Sequence, residues 1–174
     1  MHASCRGGGV GEKMRNIIAR RVSNESLFAL ARELFSMGKK IKFVVAGNSM
    51  YPFIRHNRDM VTLAETSFDD IKVCDIVLTY DEQREKYILH RVVRKNADSY
   101  YMVGDAYTQL EGPYSPDALI GVVTEICRVS WDGNEKLIAG SFYRLLAWFW
   151  LFVRHFRPVI FKLYYFVRRR KRNS

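Results

Sequence analysis

A mainly β domain, bent and barrel-like, is what this sequence predicts, and three observations predict it. Residues 41–46, 60–63, 75–80, 87–94, 99–103 and 119–129 are short runs rich in β-branched and aromatic side chains. Clusters of Asn, Asp, Gly, Pro and charged residues separate them. No helical period appears between 41 and 129, so the strands are expected to pair with one another rather than through helical crossovers.

The chain has 174 residues and a formal net charge of +10, with 48% hydrophobic and 14% aromatic residues. That is room for one ordinary domain with attachments. The apolar and aromatic content excludes a mainly disordered chain. The charge is unevenly placed. Residues 1–40 carry 8 Lys/Arg and 3 Asp/Glu, residues 41–139 carry 11 and 15, and residues 140–174 carry 9 and none. The β-rich middle is net acidic, which argues against a nucleic-acid-reading surface there and assigns the basic character to the two ends.

Before the first strand, residues 1–22 include a Gly-rich run without apolar period and are expected to form a flexible leader. Leu27, Leu30, Ala31, Leu34 and Phe35 then follow helical spacing, with Ser23 or Asn24 as N-cap and Gly38 as the stop. This N-terminal helix and the strands give a domain over 23–139. Residues 130–136, with Asp132-Gly133, are expected to be a turn joining a final hairpin. Cys5, Cys74 and Cys127 stand far apart, with no paired Cys/His spacing, so neither metal site nor cofactor is expected and the thiols read as reduced and structural.

Residues 140–174 form a hydrophobic, basic tail. Its longest uncharged run, 145–153, has nine residues against the ~20 a spanning helix needs. Pro158 interrupts any continuous helix. The composition predicts two short helices in the membrane interface, with Trp148, Trp150, Tyr164 and Tyr165 at headgroup depth and the basic cluster at 168–172 on anionic lipid. A helix pair packed on the β domain is the structural alternative.

Three polar residues stand out for chemistry. Ser49 follows a strand and Gly47-Asn48, residues that permit an unusual turn, and Pro52 just after it cannot donate to a central ladder. A serine in a turn is ordinary; it acquires interest only with a base. His2, His56 and His155 lie in the leader, a charged turn and the tail, but His90 sits in the strand YILHRVV on the face of Ile88 and Val92, where a half-buried imidazole needs a partner. Asp105 ends the strand YYMVGD and is placed to accept a His N–H. Each residue also has a plain structural reading; their order and setting together carry the functional one.

The combination resembles the signal peptidase type of serine peptidase, which shares a β-rich catalytic fold with self-cleaving repressors. The first box, Gly-x-Ser-Met-x-Pro, stands here as Gly47-Asn48-Ser49-Met50-Tyr51-Pro52. The segment KVCDIVLTY is similar to the family's Gly-Asp-Ile-Val strand, with Cys74 where glycine is usual, and His90-Arg91-Val92 resembles the branch that uses histidine rather than lysine as base. Val103-Gly104-Asp105 resembles the Gly-Asp box. The resemblance spans about 44–123.

It implies a signal-peptidase/repressor-type catalytic fold and a serine endopeptidase acting on a leader or signal peptide. Ser49 would be the nucleophile, His90 the base and Asp105 its orienting acid, with Asp117 a secondary acidic candidate. Gly47, Asn48, Met50 and Pro52 would border the oxyanion site and substrate groove. Two departures matter. Gly47 stands where signal peptidases often have a serine that supplies a second oxyanion donor, and the hydrophobic segment is C-terminal, with no N-terminal spanning helix or secretory signal evident. The basic tail and reduced-looking thiols would put the catalytic domain on the cytoplasmic face of a membrane. The competing class is a peptide-binding protein that keeps the groove without turnover; a self-cleaving repressor is disfavoured by the absence of a DNA-reading domain and of a lysine base.

Overall fold

A computed structural model describes residues 33–129, 135–138 and 141–157, together with 31, 159 and 162. Eight strands are described: β1 (Ile41–Val44), β2 (Asp59–Ala64), β3 (Ile76–Asp81), β4 (Lys86–Lys95), β5 (Tyr100–Val103), β6 (Glu111–Tyr114), β7 (Leu119–Val129) and β8 (Glu135–Leu137). One helix follows, α1 (Ser141–Phe152), and a single 3-10 turn, Arg154–Phe156, succeeds it. The mainly β expectation holds: the strands are antiparallel and curl into a half-barrel with few helices.

The sheet runs β1-β2-β7-β3-β4-β5-β6, with β8 added to β7. Strands β2 and β3 are covered on both faces, as their nearly unbroken apolar runs require. Register shifts at Thr62/Leu63, Leu78/Thr79 and Val92/Arg94 put an extra residue into one strand of a pair. Such irregularities increase local twist and bend the sheet.

Three clusters form the core. Val45, Met50, Ile54, Val61, Ile76 and Ile126 pack together and are closed over by Ala147 and Trp150 of α1. Ile71, Val77, Ile88, Val92, Tyr100 and Met102 make the second. The third joins Ala31 and Phe35 to Leu63, Leu78 and Ile120. Residues 33–36 are helical, and the amides of Gly38 and Lys39 close this turn on the carbonyls of Phe35 and Leu34, so the predicted stop is where the sequence places it. The earlier part of that helix and the 1–22 leader lie outside the described residues.

Six strands match the sequence expectation to within two residues at their ends. Strand β8 pairs with β7 in the place of the expected final hairpin, Val129 opposite Glu135; residues 130–134 of the expected turn lie outside the described residues, and Glu135 and Lys136, expected in the turn, belong to the strand. Strand β6 was not expected, because EGPY has no β-branched residue and contains Gly112-Pro113. Proline is tolerated there because β6 is the last strand in the sheet order and needs no donor on its outer side.

Two expectations are corrected. Cys127 is disulfide-bonded, whereas Cys74 is not. Wide spacing in sequence therefore did not keep Cys127 a thiol, and the argument from thiols to a cytoplasmic face loses its support. Nor does the tail stand wholly apart as an interfacial segment: Ala147 is buried in the core, and Trp150, expected at headgroup depth, packs edge-on against Phe53 with ring centroids 6.0 Å apart. No helix among the described residues is long and apolar enough to cross a membrane. Tyr164, Tyr165 and the 168–172 cluster lie outside the described residues.

Candidate active site

The turn that presents Ser49 is tied to the strand after it. Val45 donates to the Asp59 carbonyl at 3.0 Å, and Asn57 donates back to the Val45 carbonyl at 2.9 Å. Gly47 has φ of +98°, a left-handed conformation that side chains oppose, and its N–H donates to His56 Nδ1 at 2.8 Å. His56, set aside in the sequence as a residue of a charged turn, thus braces the Ser49 turn. Tyr51 and Ile54 then bond back to the carbonyls of Asn48 and Met50, completing the bend past Pro52.

Ser49, His90, Tyr107 and Glu111 line one cleft of about 400 Å³, whose apolar wall includes Phe43, Val45, Leu78 and Leu89. His90 is 5% exposed, and Ser49 is half-buried. The cleft therefore combines few polar groups with an apolar lining, as substrate sites do. Of the residues expected to border it, Met50 is instead in the core, 1% exposed. Gly47, Asn48 and Pro52 belong to the turn but do not line the cleft, whereas Ala46 does.

Gly104 is what allows Ser49 and His90 to come together. A Cβ at this position would stand 2.7 Å from the Ser49 carbonyl oxygen and 2.9 Å from Tyr107 Cδ2, where something must shift, and 3.0 Å from His90 Nε2, a tight contact. The same oxygen accepts from the Ala106 N–H at 2.8 Å, so the chain after β5 is clamped to the Ser49 turn. The pairing Arg91↔Val103 ends the β4–β5 ladder one residue short of His90, leaving the imidazole beside Gly104.

The acid on the imidazole is Glu111. His90 Nδ1 is hydrogen-bonded to Glu111 Oε2, and the other carboxylate oxygen accepts from Arg84 Nη1 at 3.0 Å. The Glu111 carboxyl is held below its ordinary range, first by the His90 hydrogen bond, then by His90 and Arg84 charge against an opposing effect of burial. With Nδ1 engaged by Glu111, the ring directs its other nitrogen, Nε2, toward Gly104 and Ser49. The network continues outward, since Asp81 Oδ2 accepts from Arg84 at 3.4 Å and from the Tyr114 hydroxyl at 3.0 Å. Burial, followed by that bond to Asp81, raises the Tyr114 phenol.

Asp105 does not orient His90. Its carboxylate is fully buried and makes a two-pronged pair with Arg91, at 2.9 Å from Nε and 2.7 Å from Nη2. The physical reason is strand alternation: His90 and Arg91 are successive residues of β4 and project to opposite faces, so a carboxylate holding one is on the wrong side for the other. Asp117 is exposed on the 3-10 turn Pro116–Ala118 and does not line the cleft. Glu111 was missed in the sequence because it opens a strand that reads as a turn; the signal available was a carboxylate a few residues beyond Gly104-Asp105.

The loop carrying Asp105 is fastened from behind by the C-terminal segment. Trp150 Nε1 donates to the Asp105 carbonyl at 2.8 Å. Arg157, fully buried, donates to the carbonyls of Gly104 at 3.1 Å, Tyr107 at 2.6 Å and Trp150 at 3.0 Å. Burial lowers the Arg157 guanidinium to about 10, still a cation at neutral pH.

The Ser49 hydroxyl makes no hydrogen bond to a described residue. Nucleophile–base contacts of this kind commonly tighten only in the substrate complex. The arrangement can therefore supply a hydroxyl, a basic ring nitrogen held by a carboxylate, and an apolar groove; no group of His, Cys, Asp and Glu able to hold a metal occurs among the described residues. No protein-family model matches the chain, and no curated protein matches its sequence.

Proposed function

We propose that this chain is a serine endopeptidase of the signal-peptidase-like kind, with Ser49 as nucleophile, His90 as general base and Glu111 as the acid that orients it. The observation that carries the reading is that all three line one cleft, with Nδ1 of His90 on Glu111. Ser49 Oγ would attack the scissile carbonyl as Nε2 takes its proton, and the imidazolium, stabilised by Glu111, would return that proton to the leaving amine. The Ser49 N–H is the candidate donor to the oxyanion, since the Gly47 N–H is already given to His56.

Peptide substrates suit the cleft. Among the described strands β1 ends the sheet order, beside the cleft wall formed by Phe43, Val45 and Leu89, a setting in which an extended leader peptide can lie along the sheet edge with its side chains in that wall. Cys74 supports the family resemblance independently. It has φ of +80°, in the region that favours glycine, at the position where the family usually carries glycine.

Comparison of protein N-termini in cells carrying wild-type, Ser49→Ala or His90→Ala protein tests the proposal. New N-termini present only with the wild type are expected, and their absence overturns it. A peptide-binding protein without turnover is the second reading, favoured by the absence of a hydroxyl at Gly47 and of a Ser49–His90 hydrogen bond. Saturable binding of extended peptides with no Ser49-dependent cleavage would select it.

A further inference from the structure

We propose that the outward face of α1 and its following turn is a docking surface for an anionic lipid bilayer. At ~100° per residue, Ala147, Trp150 and Leu151 occupy one side of the helix and Leu146, Trp148, Phe149 and Phe152 the other. The first side is closed against the domain: Ala147 is in the core and Trp150 is hydrogen-bonded to Asp105. The second is open, with Trp148 at 58% and Phe152 at 76% exposure and Phe156 continuing it at 66%. A helix on the surface of a water-soluble domain carries polar residues on that side, and Arg144 is the only charged residue of α1.

The charge of the chain selects the occupant. No acidic residue follows Glu135, while nine Lys/Arg lie between 140 and 174. A second copy seated on this face would bring two such segments together and be repelled. An anionic bilayer interface satisfies both features, because it accepts Trp and Phe at headgroup depth and attracts the basic residues. At 12 residues α1 is ~18 Å long, short of the ~30 Å hydrocarbon core, so it lies in the interface rather than across it. The bonds from Trp150 and Arg157 to the 104–107 loop hold the aromatic face preformed, so little ordering is lost on docking. Since Tyr107 lines the cleft, the same bonds tie the bilayer contact to the site that Ser49 and His90 share.

Flotation of the full chain with phosphatidylcholine vesicles, with and without about one quarter phosphatidylglycerol, tests this. Binding to the anionic vesicles is expected to exceed that to neutral ones by about tenfold or more, and to weaken in about 0.5 M salt, which shortens electrostatic reach to a few ångströms. Trp148→Ser with Phe152→Ser should reduce anionic-vesicle binding by about tenfold or more, with the thermal melt unchanged because both residues are exposed. Equal binding by wild type and the double variant overturns the proposal. So does absence of wild-type binding, or self-association of the wild type that the same substitutions abolish. Ser49→Ala is expected to bind like wild type, so this outcome stands or falls apart from the peptidase reading.

Discussion

Glu111 meets His90 beyond the end of β5, carboxylate to Nδ1, although their strands are not neighbours in the sheet. Strand β5 stops at Val103 opposite Arg91, and Glu111 faces Met102 across the other ladder. The short middle strand thus lets side chains from β4 and β6 reach each other at its end. Their contact fixes one ring nitrogen of a strand histidine and leaves the other facing Gly104 and Ser49.

Glu111→Gln removes the charge that would stabilise the imidazolium while keeping the shape. Turnover should fall by ~10²- to 10⁴-fold with KM little changed, as steady-state kinetics on a cleaved peptide would show. The stability effect has a definite sign. The folded-state carboxyl titrates below its ordinary 4.5, so its contribution is present above that pH and is lost as pH falls through the depressed value. Acid unfolding followed by circular dichroism should therefore lose part of its pH dependence below about 4.5 in the variant.

Gly104→Ala places a methyl group against the Ser49 carbonyl and His90 Nε2. The closer partner, the Ser49 carbonyl, is backbone and cannot swing aside, so the Ser49 turn must move relative to the imidazole. Activity should drop by ~10²-fold or more while the protein still folds, since misplacement of reacting groups by an ångström has that effect. Near-wild-type turnover would contradict the shared locus.

Asp105 and Arg91 form a buried pair, and breaking it from one side leaves an uncompensated charge. Asp105→Asn and Arg91→Met should each destabilise by ~3–5 kcal/mol in urea titrations. The double replacement by apolar residues should cost less than the two single changes combined. Catalytic loss in Asp105→Asn should track the unfolded fraction, and residual turnover by the folded protein would separate this role from that of Glu111.

Arg157→Met strips hydrogen bonds from three carbonyls, Gly104 and Tyr107 in the loop after β5 and Trp150 in α1. Destabilisation of ~2–4 kcal/mol is expected, because each buried acceptor left unpaired carries a desolvation cost. Hydrogen exchange should accelerate at residues 104–107 beyond what global stability requires.

Cys74→Gly should leave the protein as stable or up to ~1 kcal/mol more stable. A left-handed side-chain-bearing residue costs ~1–2 kcal/mol, against ~0.5–1 kcal/mol of extra backbone entropy for glycine. A thermal melt of the two proteins decides the sign.

By itself the sequence determined the β-rich class, six strands, the stop after the N-terminal helix, the Ser49 turn and the His90 strand. These are local properties, since period-two runs, turn formers and a left-handed glycine are readable within a few residues of chain. Tertiary structure alone decided which carboxylate serves the histidine. Asp105 is nearer in sequence, but alternation along β4 gives it to Arg91, and strand order brings Glu111 from β6, a segment whose Gly-Pro reads locally as a turn. It also split the aromatic tail into an inner face, which binds the Asp105 loop through Trp150 and Arg157, and an outer one that composition could not distinguish from it. Partner choice depends on which residues the sheet places opposite one another, and that is a property of the whole chain.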